Sequence, residues 1–373
     1  MSQNQVLPFW INALLLPLLN LLTAFAAIAV IFLVIGVDPI EATKILILGA
    51  FGYQEGIGFM LYYTTNFIFT GLAVAVAFHA GLFNIGGEGQ AYIGGLGAGL
   101  VCLVLGQWIP GLLVIPLAII ASALFGAAWA YIPAVLQAYR GSHVVITTIM
   151  FNYLAAALMV YLMVNVFRET GQMSPQSVEF DSSMWIPSMH EVLAKFDIES
   201  ESSPLNLSLF LALISAVFIW IFIWHTRWGY QLRTTGSNPQ AAVYAGIKPS
   251  KIIILSMLIS GALAGMVGVN EILGVNHRLL LDFHVGYGFA GIAVSLMGRN
   301  HPLGIVIASL LFGILYQGGA ELAFEMSGIT RDIVVVMQGL VILFSGALEF
   351  LYKPFITRLY FKLKKNTANK EFA

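Results

Sequence analysis

Between Glu55 and Arg140 the chain carries a single Asp, Glu, Lys or Arg, and it is Glu88. The rest of that interval is apolar, small or uncharged polar. Comparable apolar runs recur as far as residue 352, near or above the roughly 20 residues that a helix needs to cross hydrocarbon. Only 9% of the 373 residues are charged, against about 25% in soluble domains, so this composition cannot supply a water-exposed surface. Inside lipid every backbone N–H and C=O must be satisfied within the protein, which leaves helices or a closed barrel. Barrel strands read as alternating segments of about ten residues, and these runs do not alternate. The expected fold class is all-α: a polytopic integral membrane protein with about ten transmembrane helices.

The runs fall at about 11–36, 56–79, 91–107, 110–139, 144–166, 206–225, 252–273, 284–298, 303–321 and 332–352. Residues 1–10 contain no Lys or Arg, and the first run is longer than a signal h-region, so it reads as a span. The third and eighth runs are short, and short or glycine-interrupted segments are where transporters break their helices. A lone Cys102 rules out an intrachain disulfide or a cysteine-based metal site. Basic residues gather in one set of loops: Arg140, then Arg227, Arg233, Lys248 and Lys251, then Arg299, then a tail from Lys353 to Lys370. The opposite set is mostly acidic, with Asp38, Glu41 and Glu55 followed by seven acids between Glu169 and Glu201. The positive-inside rule makes the first set cytoplasmic, and an even number of spans then puts both termini inside. The expected organisation is one transmembrane domain over 1–373, with an external loop at 167–205, a cytoplasmic loop at 226–251 and a basic cytoplasmic tail at 353–373. A faint internal repetition joins "FTGLAV" (69–74) to "FAGIAV" (289–294).

The cytoplasmic loop reads "RWGYQLRTTGSNPQAAVYAGIKPSKIIILS" over 227–256. Ser237 or Asn238 can cap a helix, and Pro239 suits its first turn, where an N–H would be unpaired anyway. Gln240 to Ala245 can form one short helix that Gly246 ends. Ala241, Ala242 and Ala245 would let a partner groove approach closely, with Tyr244 as the larger contact. A surface helix that only caps two spans is the plainer reading. The stretch "GYQLRTTGSNPQAAVYAGI" resembles the cytoplasmic loop of ABC importer permeases of the branched-chain amino acid, ribose and nucleoside group. In that group a pattern of this form is the coupling helix that inserts into the ATPase. The resemblance therefore implies ATPase coupling for Arg233, Gly236, Asn238, Pro239, Ala241, Ala242, Tyr244 and Gly246.

A second resemblance narrows the branch. "GLAVAVAFHAGLFNIGGEGQ" (71–90), "VVITTIMFNYLAA" (144–156) and "GYGFAGIAVSLMGRNHPLG" (286–304) are similar to the nucleoside and simple-sugar members. The chain departs from them at His143-Val144, where relatives commonly carry Asn-Glu, and at Ala290, where they often carry a polar or acidic residue.

The glycine-rich stretch also has a physical reading of its own. A carboxylate at membrane depth costs about 2.5–3.5 kcal/mol on insertion scales and is normally turned to a cavity or partner. Asn84 and Gln90 each supply a donor and an acceptor for base edges or ribose hydroxyls, and Phe83 and Tyr92 can stack on a base. With Glu88 these residues are expected to line the solute path. The alternative is a tight bend in which Glu88 caps the third helix. Thr148 and Asn152, four residues apart on one helix face, either reach the solute or join helices to each other. Asn270 and Glu271, near the external end of the seventh span, either reach the solute or, more simply, are solvated at the interface.

The function implied is the transmembrane permease subunit of an ABC importer in the bacterial inner membrane, moving nucleosides or simple sugars inward. The chain has no G-x-x-x-x-G-K-[ST] motif, so ATP and Mg would be bound by a separate ATPase subunit. A second, related permease chain, an external solute-binding protein, a small polar solute and the lipid bilayer complete the expected partners. No cofactor, metal or nucleic acid is expected on this chain. A proton-coupled secondary transporter using Glu88 is the competing reading. A membrane enzyme is the third, although no paired carboxylates or Ser/His/Asp arrangement stands out in the spans.

Overall fold

A computed structural model describes residues 8, 11 and 15–371, apart from 170, 285 and 327. Among the described residues the chain is helical, with no β-strand. In chain order the helices are α1 (Leu16–Ile35), α2 (Pro39–Phe51), α3 (Gln54–His79), α4 (Gly87–Leu105) and α5 (Gly111–Arg140). Next come α6 (Val144–Leu162), α7 (Met189–Ala194), α8 (Ser208–His225), α9 (Arg227–Ser237) and α10 (Pro239–Tyr244). The last are α11 (Pro249–Gly265), α12 (Tyr287–Met297), α13 (Pro302–Glu325) and α14 (Arg331–Glu371). Eight of the described helical segments are long and apolar enough to cross a bilayer, and 287–297 and 332–341 are shorter apolar helices.

The chain divides into two units, residues 1–47 with 318–373, and residues 48–317. In the first unit α1 packs along α14, with the Thr23 and Tyr352 hydroxyls 2.7 Å apart and Ile11, Leu16 and Ile356 forming an apolar core. The basic segment expected as a tail is helical: α14 continues past Pro354 to Glu371. Another difference is α2, where the sequence reads as an acidic loop. Asp38 accepts from the Ile40 amide at 2.8 Å, and Ala42 and Leu46 turn inward, so a 13-residue helix forms that is too short to span.

In the second unit α3 lies at the centre, with every residue from 64 to 77 buried. It packs against α12 and α11, and α11 in turn against α5 and α4. The helices α5, α6 and α8 lie outside and expose Leu112, Ile146, Tyr153, Ile214 and Phe218, the apolar face that hydrocarbon requires. The two matched hexapeptides meet here: a Cβ at Gly71 would lie 3.0 Å from Val294, and one at Gly291 would lie 2.5 Å from Thr70.

The two long loops occupy opposite ends of α3. At its start, the Glu55 amide donates to Glu201 at 2.9 Å. At its end, Gly236 of α9 packs on His79 and Gly81. The acidic loop is also stitched to the chain that follows α11, through Ser177 N–H to Leu279 O (2.9 Å), Phe180 N–H to His277 O (2.8 Å) and Ile186 N–H to Leu273 O (3.0 Å). Within the loop, Asp181 caps a short 3-10 turn, and its hydrogen bonds to Ser183 hold its carboxyl below the usual range.

The eighth run is not a full helical span. From the acidic-loop end the chain passes through turns at 281–284 and becomes helical only at Tyr287. There the Tyr287 ring lies 5.6 Å from Phe67, near the midpoint of α3. The helix ends beside Asn300, whose carbonyl meets His79 Nε2 at 3.0 Å at the far end of α3. An 11-residue helix rises about 16 Å, so α12 is a half-helix that begins in the interior of the bundle.

Candidate functional site

After His79 the chain turns at Gly81 and re-enters the bundle. Asn84 donates to Ser260 at 2.9 Å, and Ser260 donates to the Ala73 carbonyl at 2.6 Å. Ala73 stands six residues before the end of α3, about 9 Å in, so the glycine-rich stretch lies within the bundle and not on its surface. Asn84 and Gln90 form a reciprocal amide pair: Asn84 Nδ2 donates to Gln90 Oε1 at 2.9 Å, and Gln90 Nε2 donates to Asn84 Oδ1 at 3.2 Å. Asn152 accepts from the Gly89 amide at 2.9 Å and donates to the Ile85 carbonyl at 3.0 Å. Thr148 bonds its own helix at Val144 O, 2.8 Å away. Of the residues assigned to the solute path, Asn84, Glu88, Gln90, Tyr92, Thr148 and Asn152 converge on this break, with their polar groups engaged by the chain itself. Phe83 is half-buried and packs edge-on against Phe78 at 6.4 Å.

Glu88 is the centre of the arrangement. Its carboxylate accepts from the Gly286 and Gly288 amides, each at 2.7 Å. Glu88 therefore caps the half-helix α12 across the bundle, and not α4, the third-span helix of the sequence reading. A helix starting inside a bundle leaves its first N–H groups without helical partners at the positive end of its dipole. A carboxylate answers both needs, and His284 Nε2 lies 3.4 Å away. The contact requires glycine at 288, since a Cβ there would lie 2.2 Å from the Glu88 backbone nitrogen. Tyr92, expected to stack on a base, is buried and stacks on His284 at 4.2 Å, while its hydroxyl accepts from the Asp282 amide at 3.0 Å. Its ring is occupied by the chain that feeds α12.

A second polar centre lies where the sequence reading placed a solvated interface. Asn270 and Glu271 are buried because α11 is followed by a π-helical segment, Val269–Asn276, that folds them inward. Tyr62 Oη and Asn66 Nδ2 both donate to Glu271 Oε1 at 2.6 Å. Asn270 donates to Asn66 Oδ1 at 2.9 Å and accepts from Asn206 Nδ2 at 2.9 Å and Ser208 Oγ at 2.7 Å. Beside this network, Phe67 meets Tyr287, Phe312 and Tyr316 edge-on, with centroids 5.6, 5.7 and 4.8 Å apart. Tyr62 and Asn66, four residues apart on one helix face, were the available signal for this centre. Among the described residues no three His, Cys, Asp or Glu side chains converge on a metal-sized space.

At the basic end, Asn238 caps α10 by accepting from the Gln240 and Ala241 amides, each at 3.0 Å. Pro239 opens the helix, and Gly246 follows it with φ +75°. Tyr244 is 94% exposed and Val243 is exposed beside it. Ala242 departs from the expectation: it is fully buried, because a six-residue helix turns one face inward and Ala242 lies on it, with Ile247 buried just after the helix. The outward face consists of Ala241, Val243, Tyr244 and Ala245. Arg233 lies inside α9, beside a surface cavity of about 600 Å³ that Arg227, Tyr230 and Ala245 also line.

Residues 56–346 match the family described as the permease component of branched-chain amino acid transport systems. The chain belongs to this permease family. It is similar over nearly its whole length to the guanosine ABC transporter permease protein NupP of Bacillus subtilis, at 36% identity over 96% of this chain and 99% of that one. The nucleoside ABC transporter permease protein NupB of Lactococcus lactis is 34% identical, over 96% of each chain. The glucose ABC transporter permease protein TsgB13 of Haloferax volcanii is 32% identical over 99% of this chain and 96% of its own. No solved structure matches the chain. The permease is a multi-pass membrane component of an ABC importer and not itself an enzyme. Membership implies a partnership with an ATPase and a binding protein.

Proposed function

We propose that this permease moves nucleosides, or related simple sugars, into the cytoplasm across the bacterial inner membrane. It works beside a second, related permease chain, and both of its termini lie inside. An external binding protein delivers the solute at the 167–205 end. A separate ATPase subunit, which binds the ATP and Mg, docks on α10. The similarity to permeases named for guanosine, nucleosides and glucose supports the solute class.

The observation that carries the docking reading is the exposed α10 face. Tyr244 and Val243 stand out from a helix whose start is fixed by Asn238 and whose base is seated by Ala242. Such a short, rigid knob suits insertion into a groove. The cavity beside it, with Arg227 and Arg233 in its wall, favours acidic groups on the partner.

The test is reconstitution in proteoliposomes with and without the ATPase and the second permease. Uptake of labelled nucleoside is expected only in the complete, ATP-supplied complex with binding protein present. Accumulation by this chain alone under a pH gradient would refute the proposal.

A further inference from the structure

We propose that the cavity where α8 meets α9 binds the phosphate of an anionic membrane phospholipid, held by Arg227 and Arg233 at the basic end of the bundle. The inference does not depend on which solute is carried.

Three observations carry it. The first is positive charge without a counter-charge. The cavity, of about 600 Å³, has Trp224, His225, Arg227, Tyr230 and Arg233 in its wall. Between Glu201 and Glu271 the chain contains no Asp or Glu. Among the described residues the ion pairs join Arg278 to Glu179 and His284 to Glu88, so neither cavity arginine has an acidic partner there. Arg233 is the sharper case, since its Nε is buried and no acceptor among the described residues meets it. A buried guanidinium N–H is costly to leave unpaired, and phosphate oxygens match its planar fork.

The second is the local backbone. The helix α9 starts at Arg227 in the cavity wall, where Thr226 accepts from the Gly229 amide at 3.1 Å. The positive end of the helix dipole therefore adds to the two arginines, an arrangement suited to phosphate. The wall behind is firm. The Trp224 ring is wedged between those of His79 and His301, with centroids 5.3 and 5.0 Å away.

The third identifies the source of the phosphate. The apolar helix α8 has 18 residues and ends at His225, a rise of about 27 Å that nearly matches the hydrocarbon thickness. Its end therefore stands at the depth of lipid headgroups. Ile214, Phe218 and Ile221 lie exposed along one face of α8, where acyl chains can rest beneath the headgroup. Trp220, Trp228 and Tyr230 are exposed close by in the chain, as in an interfacial aromatic belt. A free phosphate would have no use for such a track, whereas basic pockets at span ends take anionic headgroups. The ATPase contact proposed above uses the exposed α10 face, so a partner's acidic side chain is the rival occupant of this wall.

The experiment compares the complete transporter with its Arg227→Gln and Arg233→Gln variants. Arg140→Gln, whose arginine lies outside the cavity, is the control. Each is purified in mild detergent from membranes containing phosphatidylglycerol, and retained lipid is read by native mass spectrometry. Thermal unfolding and ATPase co-purification are followed in parallel. Wild type is expected to retain phosphatidylglycerol and to be stabilised by it more than by phosphatidylcholine. Arg227→Gln and Arg233→Gln should each weaken retention about tenfold, with Arg140→Gln unchanged. Should Arg233→Gln fail to assemble, Arg227→Gln decides alone, since Arg227 is exposed. Equal retention by all four proteins, or an equal loss in Arg140→Gln, would overturn the inference. So would stabilisation by inorganic phosphate as large as that by the lipid, the mark of a free-anion site. Loss of the ATPase from Arg227→Gln with lipid retention intact would give the cavity to the partner and overturn it too.

Discussion

Glu88 and Glu271 are the buried carboxylates among the described residues, and they are held by different kinds of partner. Glu88 accepts from two backbone amides of the α12 start, whereas Glu271 accepts from the side chains of Tyr62 and Asn66. Backbone amides at a buried helix start must find an acceptor, and here the protein supplies it, so the Glu88 contact is part of the architecture. Side-chain donors can rotate, so the Glu271 contact is not fixed by the backbone in the same way. Burial of an acid inside a membrane protein thus does not by itself mark a transport site.

The comparison breaks most readily at Glu88. Glu88→Ala leaves the buried Gly288 amide unpaired, at about 1–3 kcal/mol, and the half-buried Gly286 amide without its acceptor at a smaller cost. The expected outcome is a large fall in thermal stability and yield of the assembled complex, measured by thermal unfolding in detergent. Glu88→Gln keeps one acceptor oxygen and should fall between Ala and wild type. If Glu88→Gln matches wild type in stability yet abolishes transport, Glu88 is a solute or proton group and the distinction fails.

Gly288→Ala approaches the same contact from the other side. Its added carbon meets Glu88 backbone at 2.2 Å, and overpacking of this kind costs about 1–3 kcal/mol. Stability should drop nearly as far as in Glu88→Gln, and a neutral result would show that the two helix starts are not tightly apposed.

At the docking helix the effects are expected to separate cleanly. Tyr244→Glu changes a side chain that is 94% exposed, so the permease alone should keep its unfolding midpoint while co-purification of the ATPase is lost. Asn238→Ala removes a cap worth about 1 kcal/mol, weakening ATPase association several-fold in a titration without abolishing it. The smallest change is at the Arg278–Glu179 ion pair, which is partly exposed. Glu179→Gln should alter stability by less than about 1 kcal/mol, with the difference shrinking as salt is added.

The helical membrane architecture was legible because it follows from the solvent: runs of such length and so few charges leave no other fold. The cap at Asn238 and the Pro239 start were legible for a different reason, since they depend on residues adjacent in sequence. The half-helix was legible only in part: the eighth run is short, but "HVGYGFAGIAVSLMG" is apolar from Tyr287 onward and apolarity does not say where helicity begins. Glu88 illustrates the remaining gap. Its cost at depth was readable, but its partners lie 198 and 200 residues away. Glu271 was misplaced at the surface because a π-helical turn near the end of a run shifts which face points inward, and periodicity at 3.6 residues cannot register that shift.

The close approach of α9 to the end of α3 has its own consequence. A Cβ at Gly236 would lie 2.2 Å from the His79 carbonyl oxygen and 2.8 Å from the Gly81 nitrogen, so backbone rests on backbone with no side chain between to flex. The joint resembles a gear without backlash: a displacement of this loop would be passed directly to Gly81, seven residues before the carboxylate that grips the half-helix. Adding even one methyl at Gly236 would introduce play into that linkage, and ATP would be hydrolysed with less solute moved per turnover.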